Sequence, residues 1–267
     1  MLTRIHAYKL ANNKIQFSYA HGGDFLLVGA HYDEEAKNAL HREMSIMNLK
    51  TISTVFIPDW NEAYCGDGKL FGELLADIVP THICIPKWKS QESFESRILS
   101  SIKQYKDNNP FVDIQYVYDD FKIHDTDKPG RSNNNIVIIS KICTPEKTGF
   151  YAYRFESSGK WTAILLGEND YSAEMIKSDV VVLPSFDSDE LLEMEEAVRC
   201  LKANVYIKYT PSQKQSFWSL LLDGRRLIYN VSQKDVVVTR NTQSSVSCYY
   251  FDPNNNLLEE KREYQAE

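Results

Sequence analysis

The order of the short apolar runs constrains this chain most. FLLVG (25–29), STVFI (53–57) and HICIP (82–86) come early. IVIIS (136–140), FYAYRF (150–155), WTAILLG (161–167) and VVVLP (180–184) follow later, with helical spacing set among them. Apolar runs of this length bounded by turn residues read as buried strands. Ile15, Phe17 and Tyr19 alternate with Lys14, Gln16 and Ser18, the pattern of a half-buried strand. Ala36, Leu40, Met44 and Met47 predict a helix over 33–47, with Asp33, Glu34 and Glu35 in its first turn. Leu70, Phe71, Leu74, Leu75 and Ile78 predict another. Phe94, Ile98, Leu99, Ile102 and Tyr105 predict a third, and further helices are expected at 191–201 and near 212–222. NVYIKY (204–209), RLIYN (226–230), DVVVT (235–239) and SCYYF (247–251) read as late strands. Each half opens on strands and continues as strand and helix in turn. That order predicts an α/β fold of two mixed sheets flanked by helices, a four-layer αββα sandwich. Residues 1–252 are expected to form one domain, and 253–267 a charged, flexible tail. The longest loop is expected over 119–135, which is polar and rich in turn residues.

Composition removes several classes of function. Of the 267 residues, 43% are hydrophobic and 25% charged, which sets the chain apart from disordered and fibrous proteins. The net charge of −7 leaves nucleic acid only a local patch. Lys87, Lys89, Lys202, Lys208, Lys214, Arg225 and Arg226 are candidates for one, but they are interleaved with acids, so a solvated face is the plainer reading. No apolar run approaches the roughly 18 residues that cross a bilayer, and the first residues contain no apolar core of a secretory signal. The five cysteines are widely spread and none forms a CxxC pair, which points to a reducing compartment. A cytoplasmic protein without membrane contact is therefore expected.

The punctuation of the chain resembles the metallo-β-lactamase superfamily, and in particular the stand-alone hydrolase domain of the competence DNA-uptake channel type. LLVGAHYDE (26–34) stands where the family has L-I-D-x-G. TVFI followed by PDWNEAYCG stands for the strand and metal motif H-x-H-x-D-H-x-x-G. NNNIVIIS, ILLGE, DVVVLPSFDS and GRRLIYNVSQKDVVVTRN match its later landmarks in order. The family's zinc site is built from several histidines with aspartate. Aligned on Gly66, the motif positions hold Pro58, Trp60, Glu62 and Ala63. A one-residue slip gives Ile57, Asp59, Asn61 and Glu62, and neither register supplies a histidine. Ser185 and Phe186 replace the later pair of histidines, and Glu168 stands for the bridging aspartate. The six histidines are at 6, 21, 31, 41, 82 and 124, so the second half can contribute no imidazole. A catalytic zinc needs about three protein ligands and an open position, and zinc is not expected here.

Asp59, Glu62, Glu168 and Asp187 could converge as oxygen donors, which would suit Mg²⁺ or Mn²⁺. The plainer reading is solvated polar lining. His31 with Asp33 and Glu34 reads as the charged start of a helix, with Asp33 near its N-cap. Cys65 has no identifiable His or Asn partner and is weak as a nucleophile. Trp60, Tyr64 and Phe186 occupy loops that in the family face the open active site. They are candidate partner contacts, with plugging of the vacated cleft as the alternative. The resemblance thus implies a catalytically inactive metallo-β-lactamase-fold protein. It would act as a binding or accessory subunit beside a protein partner in a prokaryotic complex, with anti-phage defence as one setting. The alternative is a metal-dependent hydrolase of the phosphodiesterase or nuclease type, using a non-zinc carboxylate site.

Overall fold

A computed structural model of the chain describes residues 3–11, 14–22, 24–87, 93–117, 136–142, 151–157, 161–166, 179–183, 203–209, 227–231, 234–241, 245–252 and 257–265. The strands are β1 (Thr3–Ala7), β2 (Phe17–His21), β3 (Asp24–Val28), β4 (Thr54–Phe56), β5 (His82–Pro86), β6 (Asp113–Val117), β7 (Ile136–Ile142), β8 (Tyr151–Ser157), β9 (Trp161–Leu166), β10 (Val180–Leu183), β11 (Val205–Lys208), β12 (Leu227–Asn230), β13 (Asp235–Arg240), β14 (Ser245–Asp252) and β15 (Leu257–Gln265). The helices are α1 (Glu34–Ile46), α2 (Gly68–Ile78) and α3 (Phe94–Asn108).

These strands form two mixed sheets. The first runs β15-β14-β13-β1-β2-β3-β4-β5-β6 and the second β12-β11-β10-β9-β8-β7. From β3 to β6 the first sheet is parallel, and from β9 to β12 so is the second. The two sheets meet face to face through large aromatic side chains. Phe17 and Phe56 of the first sheet lie edge-on to Phe155 and Tyr153 of the second, with ring centroids 6.0 and 4.8 Å apart. Such edge-to-face pairs add to the free energy of burying the rings. Val180, Val182, Val205 and Ile207 complete this core from the second sheet.

The outer face of the first sheet is covered by α1, α2 and α3. Leu27, Val55, Ile83 and Ile85 meet Leu40, Phe71, Leu74, Leu75, Ile98 and Ile102 there. Burying each side chain of this size stabilises the fold by about 1.5–3 kcal/mol. The three helices fall where their apolar spacing places them. α1 starts at Asp33, whose carboxylate accepts from the Ala36 amide, and α2 at Asp67, which accepts from Lys69 and Leu70. Three of the four expected layers are thereby seen. The helices expected at 191–201 and 212–222, like the 119–135 loop, lie outside the described residues. No helix among the described residues is long and apolar enough to cross a membrane.

Two expectations are corrected. The alternation at 14–19 predicts a strand with a wet face, but Gln16 and Ser18 are buried along with Phe17 and Tyr19. Ser18 lies on the face of β2 that carries Ala20, toward the helical layer, and Gln16 immediately precedes the strand, so both faces of β2 are inside. The tail is the second. Residues 257–265 form β15, paired antiparallel with β14 along nearly its whole length. Lys261, Arg262 and Glu263 are exposed on it, and charges of this kind are typical of an edge strand.

Candidate functional site

In open α/β sheets ligand sites gather beyond the carboxyl ends of parallel strands. Here those ends bring together the segment after β3, Gly29–His31, and the loop after β4, residues 58–67. Main-chain bonds lock the two. The Gly29 amide donates to Phe56 (2.9 Å) and the Ala30 amide to Tyr64 (2.8 Å). The His31 ring reaches across to donate from Nε2 to the carbonyl of Ala63 over 2.7 Å. Ile15 adds an amide bond to the same carbonyl at 2.8 Å. Gly66 is required by this closeness, since a Cβ there would lie 2.5 Å from the carbonyl oxygen of Ala30.

Gln16 joins this junction from β2's side. Its Oε1 accepts from the His31 amide (2.9 Å), and its carbonyl accepts from the Tyr8 amide (3.0 Å) and from the Tyr209 hydroxyl (2.8 Å). His31 is buried, and burial lowers its pKa below the ordinary imidazole value. The neutral ring that results suits its role as a single N–H donor to a carbonyl.

Two polar side chains of the 58–67 loop, Asp59 and Asn61, are turned into the loop itself. Asp59 accepts from its neighbour's amide, Trp60, at 2.8 Å with one oxygen. With the other it accepts from the Asn61 side-chain amide at 2.7 Å. The Asn61 carbonyl accepts the Cys65 amide at 2.8 Å, and its side-chain oxygen lies 3.3 Å from the Tyr64 amide. Cys65 is buried, with Sγ donating toward the Asp59 carbonyl at 3.3 Å. The loop is therefore a hydrogen-bonded turn of the kind that short Asx side chains build.

The sequence candidates are distributed as follows. Asp59 is half-buried and Glu62 exposed on the loop. Trp60 is 4% exposed and packs in the helix-side core, whereas Tyr64 is 2% exposed and lies in the core between the sheets. The two rings thus sit on opposite sides of the first sheet, and neither is presented to solvent. Glu168, Phe186 and Asp187 lie outside the described residues. Asp33 is the N-cap of α1. Of the basic residues, Lys87 is exposed. Lys208 is buried instead, with its pKa pulled down to about 8 by burial, so it cannot belong to a surface stripe.

The described part of this set does not fit a zinc centre. Among the described residues no three His, Cys, Asp or Glu side chains come together as ligands. The loop's nearest oxygen donors, those of Asp59, are engaged within the turn, and His31 Nε2 is engaged by a carbonyl. Sequence reasoning missed the roles of His31 and Gln16. The signal was present only as polar residues flanking apolar runs, which reads equally well as solvent-facing.

With this geometry in hand, comparison with solved structures places the architecture. The chain is similar to the metallo-β-lactamase fold protein YhfI from Bacillus subtilis, at 13% identity and a TM-score of 0.53, over 85% of this chain and 96% of that one. It is also similar to a metallo hydrolase from the hyperthermophilic archaeon Ignicoccus hospitalis, at 12% identity and a TM-score of 0.55, over 88% of this chain and 98% of that one. The chain has the metallo-β-lactamase fold. Both matches speak for the superfamily fold and not for its competence-channel branch. No family model matches the chain, and no curated protein matches it in sequence.

Proposed function

We propose that this protein is a catalytically inactive metallo-β-lactamase-fold protein that serves as a binding or accessory subunit of a prokaryotic complex. The observation that carries the reading is the turn at 58–67. Where a working hydrolase of this fold would aim metal ligands outward, Asp59 and Asn61 bond within the loop. His31 holds the loop to the segment after β3. The loop is thereby a fixed surface, with Glu62 exposed on it and Trp60 and Tyr64 supporting it from beneath. A rigid surface suits docking of another polypeptide, because little conformational entropy is lost on binding.

Metal analysis by plasma mass spectrometry, on protein purified without chelator, tests the reading together with a phosphodiester hydrolysis assay. The expected result is zinc, magnesium and manganese well below one per chain, and no metal-stimulated hydrolysis. One tightly held metal per chain, lost on Asp59→Asn or Glu62→Gln, would establish the carboxylate-centred hydrolase instead.

A further inference from the structure

On the helix-facing side of the first sheet, apart from the 58–67 loop, lies a buried ion network. Arg4 of β1 grips Glu43 of α1 with two parallel bonds, Nε to Oε1 at 2.6 Å and Nη2 to Oε2 at 3.0 Å. His6 of β1 stands between two carboxylates. Its Nδ1 is 2.6 Å from Glu43 Oε2 and its Nε2 is 3.1 Å from Asp235 Oδ2 on β13. His6 and Glu43 are fully buried.

Above its own pKa a carboxylate has no proton to give, so each ring nitrogen must be the donor. An imidazole that donates from both nitrogens is the imidazolium. The charged groups facing it come from every element around it. They are Arg4 from β1, Glu43 and Arg42 from α1, and Asp235 from β13. Tyr8 and Phe251 pack edge-on against the ring. Tyr249 of β14 accepts from Arg4 at 3.1 Å, and Tyr209 lies within the field of Asp235.

We propose that His6 is a proton-dependent latch: its imidazolium joins Glu43 of α1 to Asp235 of β13, and loss of its proton releases the β13 side of that junction.

The side that lets go follows from the partners. Glu43 keeps its two bonds to Arg4 whatever His6 does. A neutral ring retaining the proton on Nδ1 also keeps its own bond to Glu43, and then turns the Nε2 lone pair on Asp235. Asp235 is left with the Lys9 amide at 2.8 Å and Arg42 at 3.6 Å. Burial works against the charge on His6, but the bonds to Asp235 and Glu43 outweigh it and raise its pKa above the ordinary value. The latch is therefore fully closed below about pH 6.5, the unfolded value, and opens as pH rises through the raised folded value.

Hydrogen exchange by mass spectrometry on the full chain from pH 6 to 10, corrected for base catalysis, tests this. Histidine NMR in the same samples reports the protonation of His6. In the wild type the imidazolium is expected at pH 7. The corrected exchange of peptides covering 235–240 is expected to rise by up to about tenfold per pH unit between 6.5 and the His6 midpoint, while peptides covering 54–56 and 82–86 show no step. His6→Gln is expected to abolish the step. Asp235→Asn, which keeps a polar group beside the ring, is expected to move the midpoint to lower pH. Should His6→Gln fail to fold, Asp235→Asn and the wild-type NMR decide. A neutral His6 at pH 7, an unshifted midpoint in Asp235→Asn, or an unchanged step in folded His6→Gln would overturn the proposal. None of these outcomes depends on the metal content that tests the proposed function.

Discussion

The hydroxyl of Tyr153, on β8 of the second sheet, donates to the carbonyl of Pro58 at the head of the loop beyond β4, over 2.9 Å. One bond thus ties the 58–67 loop to the opposite sheet, inside the core. Tyr153→Phe keeps the ring and leaves that carbonyl without its donor. The expected loss is about 1–3 kcal/mol, the range for a buried group deprived of its hydrogen bond. Urea unfolding followed by circular dichroism measures it, and an unchanged midpoint would show that the bond contributes nothing.

Two glycines should respond oppositely to alanine. At Gly66 a methyl would meet the Ala30 carbonyl oxygen at 2.5 Å and the backbone must move, a cost of about 1–3 kcal/mol. At Gly72, within α2, the nearest atoms are the Ser101 side chain at 3.7 Å and beyond. There alanine should stabilise by about 0.5–1 kcal/mol, the helix-interior preference over glycine. Thermal unfolding of both variants checks the pair.

Trp60→Ala should empty a volume in the helix-side core and lower stability by about 3–5 kcal/mol. The measurement is guanidinium unfolding. A stability near that of the wild type would mean that the indole is not packed as described, and would return it to the role of an exposed partner contact.

The acid limb of stability should report Glu43. Burial works against its charge, but His6 and Arg4 outweigh this and hold its carboxyl down at about 2. A carboxyl depressed below its unfolded value contributes stability above about pH 4.5, which is lost as pH falls toward 2. The wild type should therefore weaken steeply across that interval, and Glu43→Gln should weaken less. At neutral pH the variant should be less stable by about 3–5 kcal/mol, because it leaves Arg4 buried without its counter-charge and removes one of the two carboxylates beside His6. Chemical denaturation between pH 2 and 7 reads both effects.

The helices and the apolar strands were legible in the chain because their signal is local. Leu70, Phe71, Leu74, Leu75 and Ile78 mark α2 by spacing alone, and Asp67 caps it within three residues. β1 was not legible. TRIHA carries Arg4 and His6 on one face, which reads as an exposed edge. Their partners, Glu43 and Asp235, come from distant parts of the sequence and cancel the polarity only after folding. β15 was hidden by its exposed charges for the opposite reason, since an edge strand has no second neighbour to satisfy.

At the candidate site, the lack of histidine around residues 58–67 was plain from the sequence. The fate of Asp59 and Asn61 was not, because both oxygens of Asp59 are claimed by backbone and side-chain groups that only the turn brings near. Trp60 and Tyr64 are four residues apart in one loop, and nothing in the sequence separates them onto opposite sides of a sheet.

Thr3 pairs with His21 on one flank and with Arg240 on the other. During synthesis, the β1–β2 hairpin can form early, but its other border stays bare until β13 emerges. At about 5–20 residues per second that wait is roughly ten to forty seconds. For that interval the nascent chain carries an unpaired strand border, the kind of surface that recruits wrong partners. The same arrangement means that a fragment ending short of residue 235 would leave β1 at the border of the first sheet, so the start of this fold matures only with its end.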